Sequence, residues 1–172
     1  MDNRLLILLG LLMAQRQHGY QINEFIETNL GMITDMKKPT AYATLEKLSK
    51  QGYIEVEMEQ EGNRPPRKVY SINESGKKYF HELLLNNLSS AETIHYTGDI
   101  GLMFMDHLPT EETTAALKER LAQSEQMLEY LKQTPSHSAS RGVDLAIKHK
   151  IKMMEAEMLF IEETINELIN KS

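Results

Sequence analysis

The sequence contains neither cysteine nor tryptophan among its 172 residues. Without cysteine the chain has no disulfide framework, no thiolate nucleophile and no thiolate metal ligand, which fits a reducing compartment. Without tryptophan it has no indole ring on which a base or an aromatic ligand can stack. The two absences exclude a disulfide-stabilised fold and every mechanism that depends on a cysteine nucleophile.

Long apolar segments are also lacking. The stretch from Leu5 to Ala14 is apolar but short, and it runs into the polar residues Gln15, Arg16 and Gln17. A transmembrane helix needs about 20 predominantly apolar residues. We therefore predict that this stretch is a buried helix rather than a membrane span or a signal-peptide core. The expectation is a cytoplasmic protein without a membrane partner.

Motifs for catalysis and for cofactors are missing as well. The sequence has no glycine-rich phosphate loop, and its Ser, His and Asp residues show no motif spacing. The 6 histidines are scattered without an i, i+4 pair, and we interpret the 11 methionines as core residues rather than copper ligands. We expect a protein that is not an enzyme and that binds no metal and no cofactor.

Basic side chains are outnumbered by acidic ones, at 19 against 25, which gives a formal net charge of −6. The excess is uneven, since residues 1–92 carry 11 basic and 12 acidic side chains and residues 93–172 carry 8 and 13. Affinity for phosphate depends on the local patch rather than on the net charge. The nearly neutral N-terminal half predicts modest, strongly salt-sensitive affinity for nucleic acid.

The stretch from Asp35 to Tyr70 carries the most information. A helix is predicted there from Met36 or Lys38 to Gln51, with Pro39 suited to its first turn and Gly52 to a left-handed stop. At roughly 100° per residue its apolar side chains fall on one stripe and a polar, cationic set points the other way. The stripe contains Ala41, Leu45 and Leu48; the opposite set contains Thr40, Ala43, Lys47 and Lys50.

Two strand-like runs follow this helix. They cover residues 53–59 and Arg67 to Ile72, and the segment between them contains Gly62, Arg64 and two prolines. We predict a β-hairpin with a cation at its tip. A helix followed by such a hairpin is typical of a winged helix-turn-helix, in which the helix enters the major groove and the wing contacts the backbone or the minor groove.

Three further helices complete the first domain. They are predicted at Asn3 to Gln15, from Gly19 to near Gly31, and from a cap at residues 73–76 to about Ser90. In the second of these helices we expect four side chains to point inward: Tyr20, Ile22, Phe25 and Ile26. We assign residues 1–90 to a winged helix-turn-helix DNA-binding domain.

Heptad spacing dominates the remainder of the chain. Two long helices carry apolar residues at three- and four-residue intervals, which predicts an antiparallel pair. A single winged domain recognises few base pairs, so we predict a C2 homodimer through these helices, aided by the first helix. Residues 91–172 are assigned to a helical dimerisation domain. The predicted fold is mainly α with a small β-hairpin wing: a winged helix-turn-helix plus a C-terminal antiparallel helical dimerisation domain.

Several short motifs, in this order and spacing, resemble the PadR family of bacterial transcriptional regulators. They are Leu9-Gly10-Leu11-Leu12, Gly19-Tyr20-Gln21-Ile22, Gly52-Tyr53-Ile54 and Pro66-Arg67-Lys68-Val69-Tyr70. The C-terminal half is similar to the larger PadR subgroup, which has a helical dimerisation domain. The resemblance implies that Tyr42, its helix neighbours and the wing cations approach DNA. It also implies an apolar effector cavity, for which the candidates are Tyr96, Met103, Phe104 and His107.

The function we predict is repression of transcription by a homodimer on double-stranded promoter DNA, with release by a small aromatic or amphipathic effector. Lysines are expected to hold phosphate, and threonines to reach base edges. The expected DNA contacts are Lys37, Lys38, Thr40, Tyr42, Thr44, Lys47, Arg64, Arg67 and Lys68. Two alternatives stay open. One is a winged-helix protein-interaction adaptor that has lost DNA binding, suggested by Glu46, Glu55, Glu57 and Glu59. The other is a ligand carrier without a regulatory role.

Overall fold

The computed structural model describes residues 2–29, 36–60, 62, 65–91, 93, 95–133 and 141–171, apart from the side chains of Thr28, Asn29 and Lys171. The chain divides into two compact units, Met1–Thr93 and Ile94–Ser172. The architecture is mainly helical with one small antiparallel sheet, as the sequence predicts. No described helix is long and apolar enough to cross a membrane.

Four helices form the framework of the first unit: α1 (Asn3–Ala14), α2 (Gly19–Asn29), α3 (Lys38–Lys50) and α4 (Glu74–Ser89). Their apolar stripes meet in one core because each helix buries a single face. The largest fully buried side chains of this core are Leu8, Leu9, Ile22, Leu45 and Leu48. Burying a leucine or isoleucine contributes about 1.5–3 kcal/mol, so this cluster fixes α3 firmly against α1 and α2.

The sheet of the first unit contains one strand more than the predicted hairpin. Strands β2 (Ile54–Glu59) and β3 (Arg67–Ile72) form the antiparallel hairpin, and β1 (Gln17–His18) pairs antiparallel with the other edge of β3. No strand was predicted between the first two helices. A strand of two residues has no alternating pattern, so only its pairing with Val69 and Tyr70 reveals it.

Helix α3 is joined to the hairpin by a tight C-terminal motif. Gly52 has a φ of 76°, and the backbone N–H groups of Gly52 and Tyr53 donate to the carbonyls of Ser49 and Leu48, each at 3.0 Å. This is the Schellman arrangement, in which the left-handed residue is normally glycine. Strand β2 therefore leaves α3 in a fixed direction, which places the hairpin beside the exposed face of the helix.

The second unit is built on a helical pair. It contains α5 (Gly98–Met103), a 3-10 turn (Met105–His107), α6 (Thr110–Lys132) and α7 (Arg141–Lys171). Leu117 near the start of α6 packs with Ile161 and Ile165 in the C-terminal half of α7, which gives the predicted antiparallel pairing. An ion pair between Arg120 and Glu157 and a second pair, Lys132 with Glu155 at 3.2 Å, bridge the two helices.

Two side chains predicted to point into the core are exposed instead. Tyr20 and Phe25 of α2 keep 44% and 40% of their surface accessible, whereas Ile22 and Ile26 are buried as expected. The inward position next to Ile22 is taken by Asn23, whose amide donates to the Gly19 carbonyl at 2.8 Å. This hydrogen bond satisfies the amide nitrogen of Asn23, whereas its carbonyl oxygen is buried without a partner among the described residues. Burial on α2 therefore does not follow polarity at this position.

Candidate nucleic-acid interface

Helix α3 presents three lysines on its accessible side. Lys37 is the residue that caps the helix, Lys38 is its first residue and Lys47 lies in its last turn. All three are exposed, and none of them has an ion pair within the described part of the chain. The first turn also lacks a side-chain cap. The free backbone N–H groups of the first turn, together with Lys37 and Lys38, form a surface that favours anions.

A groove of about 760 Å³ lies between this helix and the hairpin. Tyr42, Ala43, Glu46 and Ser49 of α3 form one wall, the start of α2 contributes Gly19 and Tyr20, and the other wall comes from Val56, Arg67, Lys68 and Tyr70. Tyr42 is 37% exposed, so its ring remains accessible from the groove. The helix, Tyr42 and the two wing cations, which the sequence analysis grouped together, are therefore neighbours around one cleft.

Tyr70 closes the floor of the groove. The residue is only 4% exposed, and its pKa is raised by burial and, less strongly, by the neighbouring Tyr42 and Glu46. The phenol is therefore neutral at physiological pH. Gly19 allows this packing, because a Cβ atom at that position would lie 2.7 Å from a ring carbon of Tyr42 and 3.1 Å from one of Tyr70.

The two wing cations have different neighbours. The Arg67 guanidinium lies over the ring of Tyr20, at 5.2 Å from the ring centroid. That ring is stacked in turn on His18, at 5.5 Å between centroids. Lys68 pairs across the hairpin with Met58 and lines the groove. The cation at the predicted tip, Arg64, lies outside the described residues.

Acidic side chains on the wing and on α3 are matched by bases. Arg16 pairs with Glu57 at 3.5 Å and with Glu59 at 2.8 Å, and the ring of His18 lies 3.9 Å from Glu59. On α3, Glu46 pairs with Lys50 at 2.8 Å. Charges paired in this way repel phosphate less than isolated carboxylates do. The acidic residues that favoured an adaptor are therefore largely compensated within the first unit.

Thr44 does not lie where the sequence analysis expected it. It is 7% exposed, and its hydroxyl donates to the Thr40 carbonyl at 2.7 Å. A threonine hydroxyl satisfied by the carbonyl four residues earlier can be buried within a helix. Thr44 is therefore a core-facing residue and cannot reach a base edge in this conformation, whereas Thr40 is half-buried at the start of the exposed face.

The four effector candidates all belong to the second unit. Tyr96 is 38% exposed, Met103 74% and Phe104 56%, and His107 is exposed as well. The rings of Phe104 and His107 are stacked at 6.5 Å between centroids. Within this unit the four side chains thus form an accessible, partly aromatic group around α5 and the 3-10 turn rather than an enclosed core.

Seven residues that line the groove were not predicted as site residues, and three of them make a distinct contribution to it. Gly19 provides space, Tyr20 holds the Arg67 guanidinium, and Glu46 lines the wall beside Tyr42. For Gly19 and Tyr20 the available signal was a glycine followed by a tyrosine at the start of a helix. The helical period of α2 led us to predict that Tyr20 points into the core instead. Glu46 carries the wrong charge for phosphate, so no rule based on cation content could have selected it.

The part of the chain that forms the groove resembles a known protein family. Residues 8–82 match the family model of the transcriptional regulator PadR-like family. A negative transcriptional regulator, PadR of Bacillus subtilis strain 168, is 27% identical over 114 residues, which cover 66% of this chain and 63% of that protein. The alignment thus spans less than two thirds of the relative's length.

Two crystal structures of Bacillus subtilis PadR share the fold. The structure in complex with operator DNA has a TM-score of 0.83 and 22% identity and covers 95% of this chain and 98% of that one. The structure in complex with p-coumaric acid has a TM-score of 0.78 and 20% identity and covers 98% and 97%. Residues 8–82 therefore belong to the transcriptional regulator PadR-like family, and the two crystal structures show the same fold over nearly the whole chain.

Proposed function

We propose that the protein binds double-stranded promoter DNA sequence-specifically as a homodimer and represses transcription by covering the promoter. The observation that carries the proposal is the groove between α3 and the hairpin, lined by Tyr42 of the helix and by Arg67 and Lys68 of the wing. The same helix also carries Lys37, Lys38 and Lys47, which are exposed and have no ion pair among the described residues. A negative regulator among the relatives and a neighbour's structure with operator DNA support it. In this proposal residues 1–90 read DNA and residues 91–172 dimerise.

The contacts divide by chemistry. Lys37, Lys38 and Lys47 hold phosphate oxygens, since an ammonium group is a strong but sequence-independent phosphate ligand. Thr40 and Tyr42 approach base edges from the first turns of α3, the part of a recognition helix that enters the major groove first. On the wing, three cations contact the backbone or the minor groove: Arg64, Arg67 and Lys68. Thr44 is not part of this set.

The proposal is tested by titrating a labelled duplex from the promoter next to the protein's own gene at several salt concentrations. Specific binding should fall steeply as salt rises, because phosphate neutralisation releases counterions. Lys38→Ala should weaken binding to all sequences and lower the slope of log K against log salt by about one unit. The matched control is Lys78→Ala, which removes an exposed lysine of α4 that does not line the groove.

Two results would contradict this. Flow-through of the wild type on a DNA column at low salt would favour the adaptor hypothesis, because an adaptor needs no phosphate contacts. A Lys38→Ala slope equal to that of Lys78→Ala would remove Lys38 from the phosphate contacts and leave the wider proposal in place. Footprinting on the same promoter then gives the protected sequence directly.

Effector release is the second part of the proposal. A ligand that binds better to a dimer with mismatched recognition helices shifts the population away from DNA. The accessible aromatic group of Tyr96, Met103, Phe104 and His107 favours a small aromatic or amphipathic molecule, and a neighbour's structure contains p-coumaric acid. That acid is the first probe: it should release the labelled duplex in a saturable way. Unchanged DNA affinity at millimolar concentrations would exclude it as the effector.

A further inference from the structure

Glu46 occupies the middle of the exposed face of α3. At roughly 100° per residue it points about 130° away from the core stripe of Ala41, Leu45 and Leu48. It lines the groove together with Tyr42 and Ala43. If α3 enters the major groove, as the proposed function requires, this carboxylate is carried toward the bases and not toward the core.

The carboxylate is held in place and kept charged. Lys50 donates to it at 2.8 Å, and this hydrogen bond, the charge of Lys50 and the more distant charge of Lys68 lower the pKa of Glu46. The Glu46 and Lys50 side chains nevertheless remain 65% and 74% exposed, so neither is withdrawn from a partner molecule. An ionised carboxylate offers only hydrogen-bond acceptors, which limits the groups that it can contact on DNA.

The Glu46 carboxylate needs a hydrogen-bond donor, which phosphate oxygens and most base edges do not offer without an acceptor beside it. Guanine presents two acceptors in the major groove, thymine one acceptor and a methyl group, and adenine an acceptor beside its amine. Cytosine alone presents a donor, its N4 amine, without an adjacent acceptor. Ala43 lies one turn before Glu46 and has a small side chain. It therefore allows the bases in the DNA major groove to approach the helix.

We infer that Glu46 is a specificity-determining residue, which accepts a hydrogen bond from the N4 amine of a cytosine in the major groove and so selects a C·G pair at one position of each half-site. The inference rests on the proposed DNA-binding function and deepens it. The competing explanation is that Glu46 merely stabilises α3 through Lys50. An exposed i, i+4 pair contributes little to a helix, so that role would leave sequence preference unchanged.

The test is selection of duplexes from a randomised pool by the full-length wild type, Glu46→Ala and Glu46→Gln, followed by affinity measurements on the selected sites. Glu74→Ala is the matched control, because Glu74 is an exposed acid of α4 that pairs with Lys77 at 2.6 Å and has its pKa lowered in the same way. Its removal changes the net charge equally without touching the groove.

The wild type should select cytosine at one position and discriminate against the other bases by roughly five- to 150-fold. Glu46→Ala should lose the preference at that position alone. Glu46→Gln should change it to adenine, because an amide matches the adjacent donor and acceptor of that base. Glu74→Ala should retain the wild-type preference at every position.

Other outcomes overturn the inference. If Glu46→Ala keeps every preference, or binds all sequences uniformly more tightly, the carboxylate only pairs with Lys50 or repels phosphate. Both outcomes leave the proposed function intact, because the wild type still selects a site. If the wild type binds no duplex at all, the proposed function fails and the inference fails with it.

Discussion

Gly19 determines how closely α2 approaches the tyrosines of the groove. A Cβ atom there would meet side-chain atoms rather than backbone, 2.7 Å from Tyr42 and 3.1 Å from Tyr70. Tyr42 is 37% exposed and can rotate away, whereas Tyr70 is only 4% exposed and cannot. An added methyl group is therefore accommodated by displacing the ring that faces DNA in our proposal.

For this reason Gly19→Ala should change function more than stability. The substitution favours the helical conformation of α2, which offsets part of the steric cost, so we expect a melting temperature within a few degrees of the wild type. Loss of one well-placed contact worth about 1 to 1.4 kcal/mol weakens DNA binding roughly five- to tenfold. Calorimetry and DNA titration on the same samples separate the two effects.

Gly101→Ala is the matched control, because Gly101 also lies in a helix and a Cβ atom there would meet no described atom within 4 Å outside the neighbouring helix backbone. That variant should bind DNA as the wild type does. If Gly19→Ala retained full DNA affinity, Tyr42 would either tolerate the displacement or not contact DNA. If it failed to fold, the packing of α2 against Tyr70 would be the dominant role of this glycine.

Individual side chains show how far sequence patterns reach. Lys37, Lys38 and Lys47 are exposed as predicted, because charge and helical period agree on their direction. For Thr44 the two criteria conflict: the period places it near Leu45 and Leu48, and its hydroxyl suggested the opposite. The structure follows the period, since the Thr40 carbonyl satisfies the hydroxyl. A local hydrogen bond of this kind is invisible to a pattern of polar and apolar residues.

At the level of elements, the helices, the hairpin, the glycine stop of α3 and the cap of α4 were predictable, whereas the contacts between distant segments were not. The hairpin register pairs Glu59 with Arg67 and Ile54 with Ile72. Strand β3 has the predicted bounds, and β2 begins one residue later than predicted. Strand β1 was missed because two residues have no period, and the cluster of Arg16 and His18 with Glu57 and Glu59 depends on it. Contacts between segments that are distant in sequence can be identified only from the three-dimensional structure.

One such contact joins α4 to the chain that links α3 and β2. Asn73 caps α4 by accepting a hydrogen bond from the Gly76 N–H at 2.9 Å, and its own amide donates to the Gly52 carbonyl at 2.8 Å. Gly76 then lies so close to the neighbouring chain that a Cβ atom would be 2.1 Å from the Tyr53 carbonyl oxygen. Moving the Tyr53 backbone would shift the chain on both sides of it, whereas the Tyr42 ring opposite Gly19 can rotate.

Gly76→Ala should therefore destabilise the first unit. Overpacking of a tight contact costs about 1–3 kcal/mol, and the cost here falls toward the upper end because α4 and the hairpin must separate. For a unit of this size a loss of about 2 kcal/mol lowers the melting temperature by roughly 8–16 °C. Urea unfolding followed by circular dichroism measures the free energy directly, with Ser75→Ala, an exposed neighbour on the same turn, as the control. Equal stability of the two variants would mean that α4 shifts freely.

At the level of the whole molecule, the second unit has the smaller hydrophobic core. Among the described residues its main cluster contains Leu117, Ile161 and Ile165, and Leu128 and Leu131 of α6 are buried as well. Large apolar side chains on both long helices stay exposed, among them Met127 and Leu145 at 53% and Leu159 at 55%. A helix pair with so small a core gains stability mainly by covering such side chains with another surface.

The last prediction tests whether that surface is a second copy of the chain. Leu145 and Leu159 are two heptads apart and so lie along one side of α7. Leu159→Glu places a charge on that side, and a buried unpaired charge strongly opposes association. We expect the wild type to elute at twice the mass of the chain in light-scattering chromatography and the variant to elute as a monomer. Its DNA affinity should fall about 100-fold or more, because two half-sites are no longer bound jointly.

Leu85→Glu provides the comparison, since Leu85 is 68% exposed on α4, outside the proposed interface. It adds the same charge to the first unit and should leave both the dimer mass and the DNA affinity unchanged. A Leu159→Glu protein that stays dimeric would show that another face of the helices carries the interface. A monomeric Leu159→Glu protein with full DNA affinity would contradict paired half-site binding itself, because one winged domain would then suffice for recognition.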